Sequence, residues 1–326
     1  MEIDASKYVQ GRVLQPITSF RVGSIGADAV EIPYGRPVSY GIRRREFDDY
    51  LLRRTGAQLL LGNALMSLTR SGDYWIANET IRAHLVIGAG GHFCPVARLT
   101  GARPAGEQAV VAQEVEFEMN ADQLANCHIR GDTPELYFCP DMKGYGWCFR
   151  KGNFFNVGLG RADPHQLSAH VAEFLKFLRE SGRLTFDLPP MRGHAYLLNG
   201  PSTRVAAAEG VLLIGDAAGL AYPQSGEGIR PAIESGMRAA KKILGGDVSF
   251  SVVARELPPK QRAFLAARGR RAGMQGAAVG LACRIDVPEQ ERVALRPADR
   301  PEPLQAPAED LLVVGPAVMD DRLGER

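Results

Sequence analysis

The residues with the clearest chemistry are Leu212-Leu213-Ile214-Gly215-Asp216-Ala217-Ala218-Gly219, followed by Pro223 and Gly226-Glu227-Gly228-Ile229. The aliphatic run reads as a buried strand, and Gly215 at its end lets backbone pack closely against a bound molecule. Asp216 offers a carboxylate that accepts hydrogen bonds from the hydroxyls of a sugar-like ligand. The glycines at 226 and 228 open a helix whose first amides present partial positive charge, suited to an anion or an electron-rich ring edge. Gly-Asp alone is an ordinary turn. The whole spacing of strand, turn, proline and glycine-rich helix start is what points to a binding site. A second set lies in Tyr145-Gly146-Trp147-Cys148-Phe149, where strand alternation puts Tyr145, Trp147 and Phe149 on one face. Such a face is either ordinary core or the aromatic wall of an apolar cavity.

Other chemistries find no pattern in the sequence. The 6 histidines show no HExxH or HxH spacing, and there is no GxSxG elbow and no GxxxxGK[ST] phosphate loop. Glu114, Glu116 and Glu118 alternate with Val115 and Phe117, which reads as the wet face of a strand. His92 and Cys94 follow a glycine turn and receive no role.

These residues need elements to hold them. Short strands and turns are expected over 12–42, then a helix from about Arg44 to Arg54 with Phe47, Tyr50 and Leu51 on one side. Residues 57–88 read as strands AQLLL, ALMSLTR, DYWIAN and AHLVIG, with a hairpin at Ser71-Gly72-Asp73. The β pattern continues from about 105 to 162, with a turn at Lys151-Gly152-Asn153. A helix follows, capped by Asp163, started by Pro164 and stopped by Gly182, with Leu167, Val171, Phe174, Leu175 and Leu178 on one face. The strand near 210 leads into a helix from Gly226, with Ile229, Ile233, Met237, Ala240 and Ile243 inward. Beyond about 247 the chain loses periodicity and reads as a largely disordered tail. The basic run Arg255, Lys260, Arg262, Arg268, Arg270 and Arg271 reads as solvated charge that also suits peripheral membrane contact.

Composition narrows the class. With 39 Lys plus Arg against 37 Asp plus Glu and 45% hydrophobic residues in 326, the chain is neither a strongly basic nucleic-acid binder nor an acidic disordered polymer. No apolar run approaches the roughly 18–20 residues of a membrane span. The first residues lack signal-peptide character, and 5 cysteines without CxxC spacing read as reduced thiols. A cytoplasmic globular protein with no metal site is expected.

The Gly215–Ile229 segment resembles the second flavin-binding motif of FAD-dependent oxidoreductases with the para-hydroxybenzoate hydroxylase fold. It looks closest to the geranylgeranyl reductase-like branch, in which GEGI and a following SGxxAA, here Ser235-Gly236-Met237-Arg238-Ala239-Ala240, recur. The resemblance implies that Asp216 binds the ribityl or ribose region of FAD. Pro223 would lie beside the isoalloxazine ring, and Gly226, Gly228 and Ile229 would face its pyrimidine side. Arg44, three before Phe47, matches the arginine of the family's RxxFD helix start, which contacts the cofactor. Tyr145, Trp147 and Phe149 match the YxWxF strand that lines the substrate cavity, although Arg150 stands where the family has proline. Leu85-Val86-Ile87-Gly88-Ala89-Gly90-Gly91 sits where many members carry GADG; Gly88 can bring backbone close to the cofactor, but Gly90 replaces the aspartate. That weakens direct reduction by NAD(P)H, which remains the family's electron donor.

No GxGxxG occurs before Arg44, so the resemblance covers roughly 12–246 and begins after the family's first βαβ unit. The expected fold is α/β in an α+β layout: an incomplete Rossmann-like FAD-binding domain from 43–92 and 200–246, and a β-sheet substrate domain from 12–42 and 93–199. The expected function is flavin-dependent reduction of a C=C bond in an isoprenoid-like or other small hydrophobic substrate. Alternatives are a flavin monooxygenase or halogenase, and a truncated fragment that no longer holds FAD.

Overall fold

Glycine and proline punctuate the first three-quarters of the chain, and the apolar runs between them become strands and amphipathic helices. The computed structural model describes residues 4–200, 203–204, 208–243 and 311–314. In chain order the elements are α1 (Ala5–Tyr8), β1 (Leu14–Ile17), β2 (Ser19–Ser24), β3 (Val30–Pro33), β4 (Ser39–Ile42), α2 (Arg44–Arg53), β5 (Leu68–Ser71), β6 (Tyr74–Ala77), β7 (Ile81–Ala83), β8 (Leu85–Gly88) and α3 (Pro95–Leu99). They continue with β9 (Val110–Glu118), α4 (Ala121–Ala125), β10 (Glu135–Phe138), β11 (Gly144–Lys151), β12 (Phe154–Arg161), α5 (Leu167–Glu180), β13 (Arg192–Tyr196), β14 (Val211–Leu213), α6 (Ile229–Ile243) and β15 (Leu311–Val314).

The chain divides into two compact units, Met1–Ala57 with Val110–Ala195, and Gln58–Ala109 with the described chain from Tyr196. The first is built on a 7-stranded sheet of order β13-β9-β12-β11-β10-β2-β3. Its β2–β10 pair is parallel, while β9, β12, β11 and β10 run antiparallel. Helix α5 covers one face, with Val171, Phe174 and Leu178 buried against Val157, Leu159 and Tyr137. Gly146 is what lets the helix sit so close, since a Cβ there would fall 2.5 Å from the Phe174 ring. Helix α2 belongs to this unit. Tyr8, 1% exposed, packs edge-on to Phe47 and Tyr50, and Glu46 accepts the Val13 amide at 2.8 Å.

The second unit holds a parallel sheet of order β14-β8-β15 and an antiparallel sheet β5-β6-β7. Val86, Cys94, Val96, Ala97, Val211 and Leu213 form its core, so α3 and the residues after it pack here. The unit boundaries thus fall at 57/58 and 109/110, where the sequence reading drew them at 42/43 and 92/93.

Several local expectations need correction. Residues 57–61 carry no strand, and Leu60 and Leu61 are exposed. Helix α5 starts at Leu167, after a left-handed Gln166; Asp163 instead accepts the His165 amide in the preceding turn. Helix α6 turns a different face inward, burying Pro231, Ser235 and Ala239 while Met237 and Ile243 are 42% exposed. Small residues win that face because Gly215 approaches α6 so closely that a Cβ on it would lie 3.0 Å from Ala232 Cβ. Within the stretch read as a disordered tail, Leu311–Val314 forms a strand; the rest of it, including the basic run from Arg255, lies outside the described residues.

Candidate functional site

Strand β14 ends where the sequence places it, and Gly215 follows at φ +56°, a left-handed backbone that glycine adopts without strain. The chain then makes one 3₁₀ turn, Gly215–Ala217, which drops the Asp216 side chain beneath the start of α6. The nearness is steric fact: a Cβ on Gly228 would lie 2.9 Å from Asp216 Oδ1. Gly226, at φ +67°, likewise lies where a Cβ would collide with the Tyr196 ring. Glycine at 215, 226 and 228 therefore lets α6, the Tyr196 ring and the Asp216 carboxylate pack closer to the backbone than any side chain would permit. Pro223 sits in the intervening loop, whose ends are tied by Gly226 N–H to Tyr222 O (2.8 Å) and Tyr222 N–H to Glu227 O (2.9 Å).

Beside β14, strand β8 runs parallel with Leu213 opposite Gly88. The Ile214 amide donates to Gly88 O at 3.0 Å, so the two glycine turns leave the same end of the sheet at the same level. In open α/β sheets that carboxyl end is where ligands bind. Gly88 has no room for a side chain, since a Cβ would lie 2.6 Å from Leu213 Cδ2 and 3.0 Å from Cys94 Sγ. The structure thus brings Gly88, Gly215, Asp216, Pro223, Gly226, Gly228 and Ile229 into one unit, on two adjacent turns and one helix start.

The helix start differs electrostatically from the expectation. The Glu227 amide donates to Ser225 Oγ at 3.2 Å, and the Glu227 carboxylate accepts the Arg230 amide at 2.8 Å. The positive end of α6 is therefore partly neutralised from within. Burial pushes the Glu227 carboxyl upward despite the Arg230 and Ile229 amides that favour its charged form.

Arg44 lies in the other unit, at the first turn of α2, half-exposed and paired with Asp48 at 3.1 Å. Its neighbour Arg43 is the anchored arginine, paired with Glu46 at 2.8 Å and Glu116 at 3.2 Å and set over the Phe154 ring at 3.6 Å.

Along β11, Gly146 and Cys148 are buried and Tyr145, Trp147 and Phe149 are half-buried, as alternation requires. With Gly146 against α5, the three aromatics project from the other face. Tyr145 and Trp147 stand 6.0 Å apart between centroids, and Phe138 extends the group at 6.1 Å from Tyr145. Trp147 Nε1 donates to Asn156 Oδ1 at 2.8 Å, and its ring lies over Gly158, where no side chain fits. Burial pushes the Tyr145 hydroxyl up to about 12, so it is a neutral phenol at any physiological pH. Two clefts of the same unit, of about 310 and 570 Å³, include none of the predicted site residues.

The sequence reading missed the residues that hold these turns. Ser235 Oγ accepts the Gly215 amide at 2.9 Å and donates to Ala232 O at 3.1 Å, which is the physical content of the SGxxAA signature. Arg204 and Glu107 pair at 2.5 Å beside His92, and no local spacing announces a pair 97 residues apart. Among the described residues, no group of histidine, cysteine or carboxylate side chains is suited to a metal ion. No helix among them is long and apolar enough to cross a membrane.

Comparison with known proteins follows the same line. No family model matches the chain. Digeranylgeranylglycerophospholipid reductase of Methanocaldococcus jannaschii is 28% identical over 226 residues, 65% of this chain and 56% of that protein. Menaquinone reductase of Mycolicibacterium smegmatis is 27% identical over 251 residues, 70% of this chain and 60% of that one. Among solved structures, FqzB superposes with a TM-score of 0.52 at 20% identity, over 72% of this chain and 61% of that one. PqsL, a probable FAD-dependent monooxygenase from Pseudomonas aeruginosa, superposes with a TM-score of 0.50 at 15% identity, over 81% and 76%.

The chain shares its mixed α/β fold with FqzB and with PqsL. Within that fold its sequence is similar to the geranylgeranyl reductase-like branch. The chain spans a little over half the length of the first of those reductases.

Proposed function

We propose that this chain is an FAD-dependent oxidoreductase that reduces a C=C bond in an isoprenoid-like hydrophobic substrate. The observation that carries the reading is the Asp216 carboxylate set against Gly228 at the glycine-rich approach to α6, at the carboxyl end of parallel strands β14 and β8. Its chemistry suits a ligand that brings hydroxyls to a carboxylate and a flat ring to glycine backbone. Asp216 would accept from a ribityl or ribose hydroxyl. Gly88 and Gly215 would let backbone reach the cofactor, and Pro223 with Gly226, Gly228 and Ile229 would bound the ring. Arg44 would supply a further cofactor contact. When bound, FAD supplies the hydride chemistry that no side chain can. The protein's share is to orient the substrate and exclude water, and Tyr145, Trp147 and Phe149 would form the apolar wall that does so. The named relatives support the substrate class, because digeranylgeranylglycerophospholipid and menaquinone both carry polyprenyl chains. A nicotinamide donor is part of the proposal, with Gly90 in place of the acidic residue.

The test is direct. Purified protein titrated with FAD should quench flavin fluorescence saturably. Supplied with dithionite and a polyprenyl lipid in detergent, it should yield product heavier by two hydrogens per reduced bond. Protein that takes up no FAD, or flavin-loaded protein that leaves every double bond intact, overturns the reading. Oxygen and NADPH consumption driven by an aromatic substrate would favour the monooxygenase alternative.

A further inference from the structure

Arg204 is buried and fully committed, its side chain 0% exposed and that of its partner Glu107 13%. The guanidinium grips Glu107 with both arms, Nε to Oε2 at 2.5 Å and Nη2 to Oε1 at 2.6 Å. Its third nitrogen, Nη1, donates to the carbonyl of His92 at 2.7 Å, in the glycine turn that follows β8. Nη2 also approaches His92 Nδ1 at 3.4 Å. The same residue's backbone amide donates to Ala218 O at 2.9 Å, in the glycine turn that follows β14. One residue therefore reaches both turns, by its side chain on one and its main chain on the other. It does so from 203–204, a segment outside either turn and outside every strand.

We infer that Arg204, held by Glu107, is a positioning residue that sets the spacing between the Gly88–Cys94 turn and the Gly215–Gly219 turn, and through that spacing governs flavin affinity. The inference rests on the proposed flavin site, but Arg204 itself need not touch the cofactor. A planar guanidinium presents donors in a rigid fork, so three acceptors on two segments are held at fixed distances; a lysine ammonium holds no such geometry. A ligand whose ends contact two separate turns pays for any freedom in their separation, so a supporting pair that removes that freedom raises affinity. Glu107 keeps the fork oriented, and Arg204 in turn holds the Glu107 carboxyl below its ordinary range.

Two variants and two measurements decide it. In flavin-free protein, hydrogen exchange should quicken several-fold in Arg204→Lys at residues 88–94 and 215–219 together. Glu107→Gln should do the same to a smaller extent. With FAD, the dissociation constant read by fluorescence quenching should rise at least tenfold in Arg204→Lys and several-fold in Glu107→Gln. Leu68→Ala, at a buried core position on β5 and on neither turn, should lower the melting temperature while changing the FAD dissociation constant less than twofold. Exchange that quickens in one turn only, or in neither, overturns the inference, as does unchanged FAD affinity in both variants. If Arg204→Lys does not fold, Glu107→Gln carries the test. If the parent protein binds no FAD, the flavin reading fails, and the exchange measurement alone decides whether Arg204 couples the turns.

Discussion

At the residue scale, Asp216 and His92 make opposite demands of their surroundings. Asp216 lies against Gly228 beneath α6, where a carboxylate can accept a cofactor hydroxyl. A hydrogen bond to a charged group is worth about 1.5–3 kcal/mol, so Asp216→Ala should weaken FAD binding by roughly 10- to 150-fold. Equal affinity for parent and variant in a fluorescence titration would remove Asp216 from the site. Trp147→Ala should leave FAD affinity within about twofold while weakening binding of a polyprenyl substrate, because Trp147 belongs to the β11 face and not to the glycine turns. Parallel loss of flavin in that variant would assign the aromatic strand to the cofactor instead. His92 is held below its ordinary pKa, first by burial and then by the Arg204 charge. The folded protein therefore binds fewer protons at this site than the unfolded chain does, starting near pH 6.5 and continuing as the pH falls. Stability should be indifferent to His92 above that value and should decline below it. His92→Gln should flatten the melting-temperature profile between about pH 7 and 5; an unchanged slope would mean that His92 titrates as it does in the unfolded chain.

At the element scale, the parallel sheet depends on β15. Strand β8 has partners on both sides, with Val211↔Val86 on one and Leu312↔Val86 on the other. Val86 is 0% and Ile87 5% exposed. Strands buried in this way read as continuous aliphatic runs, and Leu85-Val86-Ile87, Val211-Leu212-Leu213 and Leu311-Leu312-Val313-Val314 all do. Without β15 an aliphatic strand would show an unpaired edge, the condition that promotes association. Successive amides of a strand point to opposite sides, so one of Leu312→Pro and Val313→Pro removes a donor aimed at β8. One of the two should quicken exchange at residues 85–88 and lower the melting temperature by a few degrees. If neither does, β15 adds nothing to the sheet. Helix α6 makes a related point about packing. Its inward face was read from large aliphatic spacing, yet the helix docks on Pro231, Ser235 and Ala239 because Gly215 needs close approach and a hydroxyl acceptor.

At the scale of the whole molecule, the proposed function relies on shape and a few polar contacts and not on net charge. With 39 basic against 37 acidic side chains, net charge supplies no steering of a polyanion. A ligand that binds only the folded state stabilises it by mass action, by about 2.7 kcal/mol at 100 times its dissociation constant. FAD at that excess should raise the melting temperature by about 5 °C or more. A melting curve that ignores saturating FAD would show that the protein does not bind it. The two units differ in architecture, one a broad mixed sheet under a helix and the other a short parallel sheet ending in glycine turns. That division assigns the aromatic strand to one and the Gly-Asp turn to the other.

The sequence alone determined the strand–Gly-Asp–helix motif, the one-sided aromatic strand and the α/β class, because glycine at a strand end and alternation along a strand are local properties of the chain. It also sufficed for helix α2 and the hairpin at Gly72, where a single turn of backbone decides the outcome. It did not contain the inward face of α6, the membership of α2, the partner of β8 or the bond from Arg204 to Glu107. Each of these joins segments far apart in the chain, and their pairing depends on which surfaces remain after the sheets have formed. Arg204 shows this most plainly: as one arginine among many it has no local signature, and only its place in the fold brings its side chain to one turn and its main chain to the other.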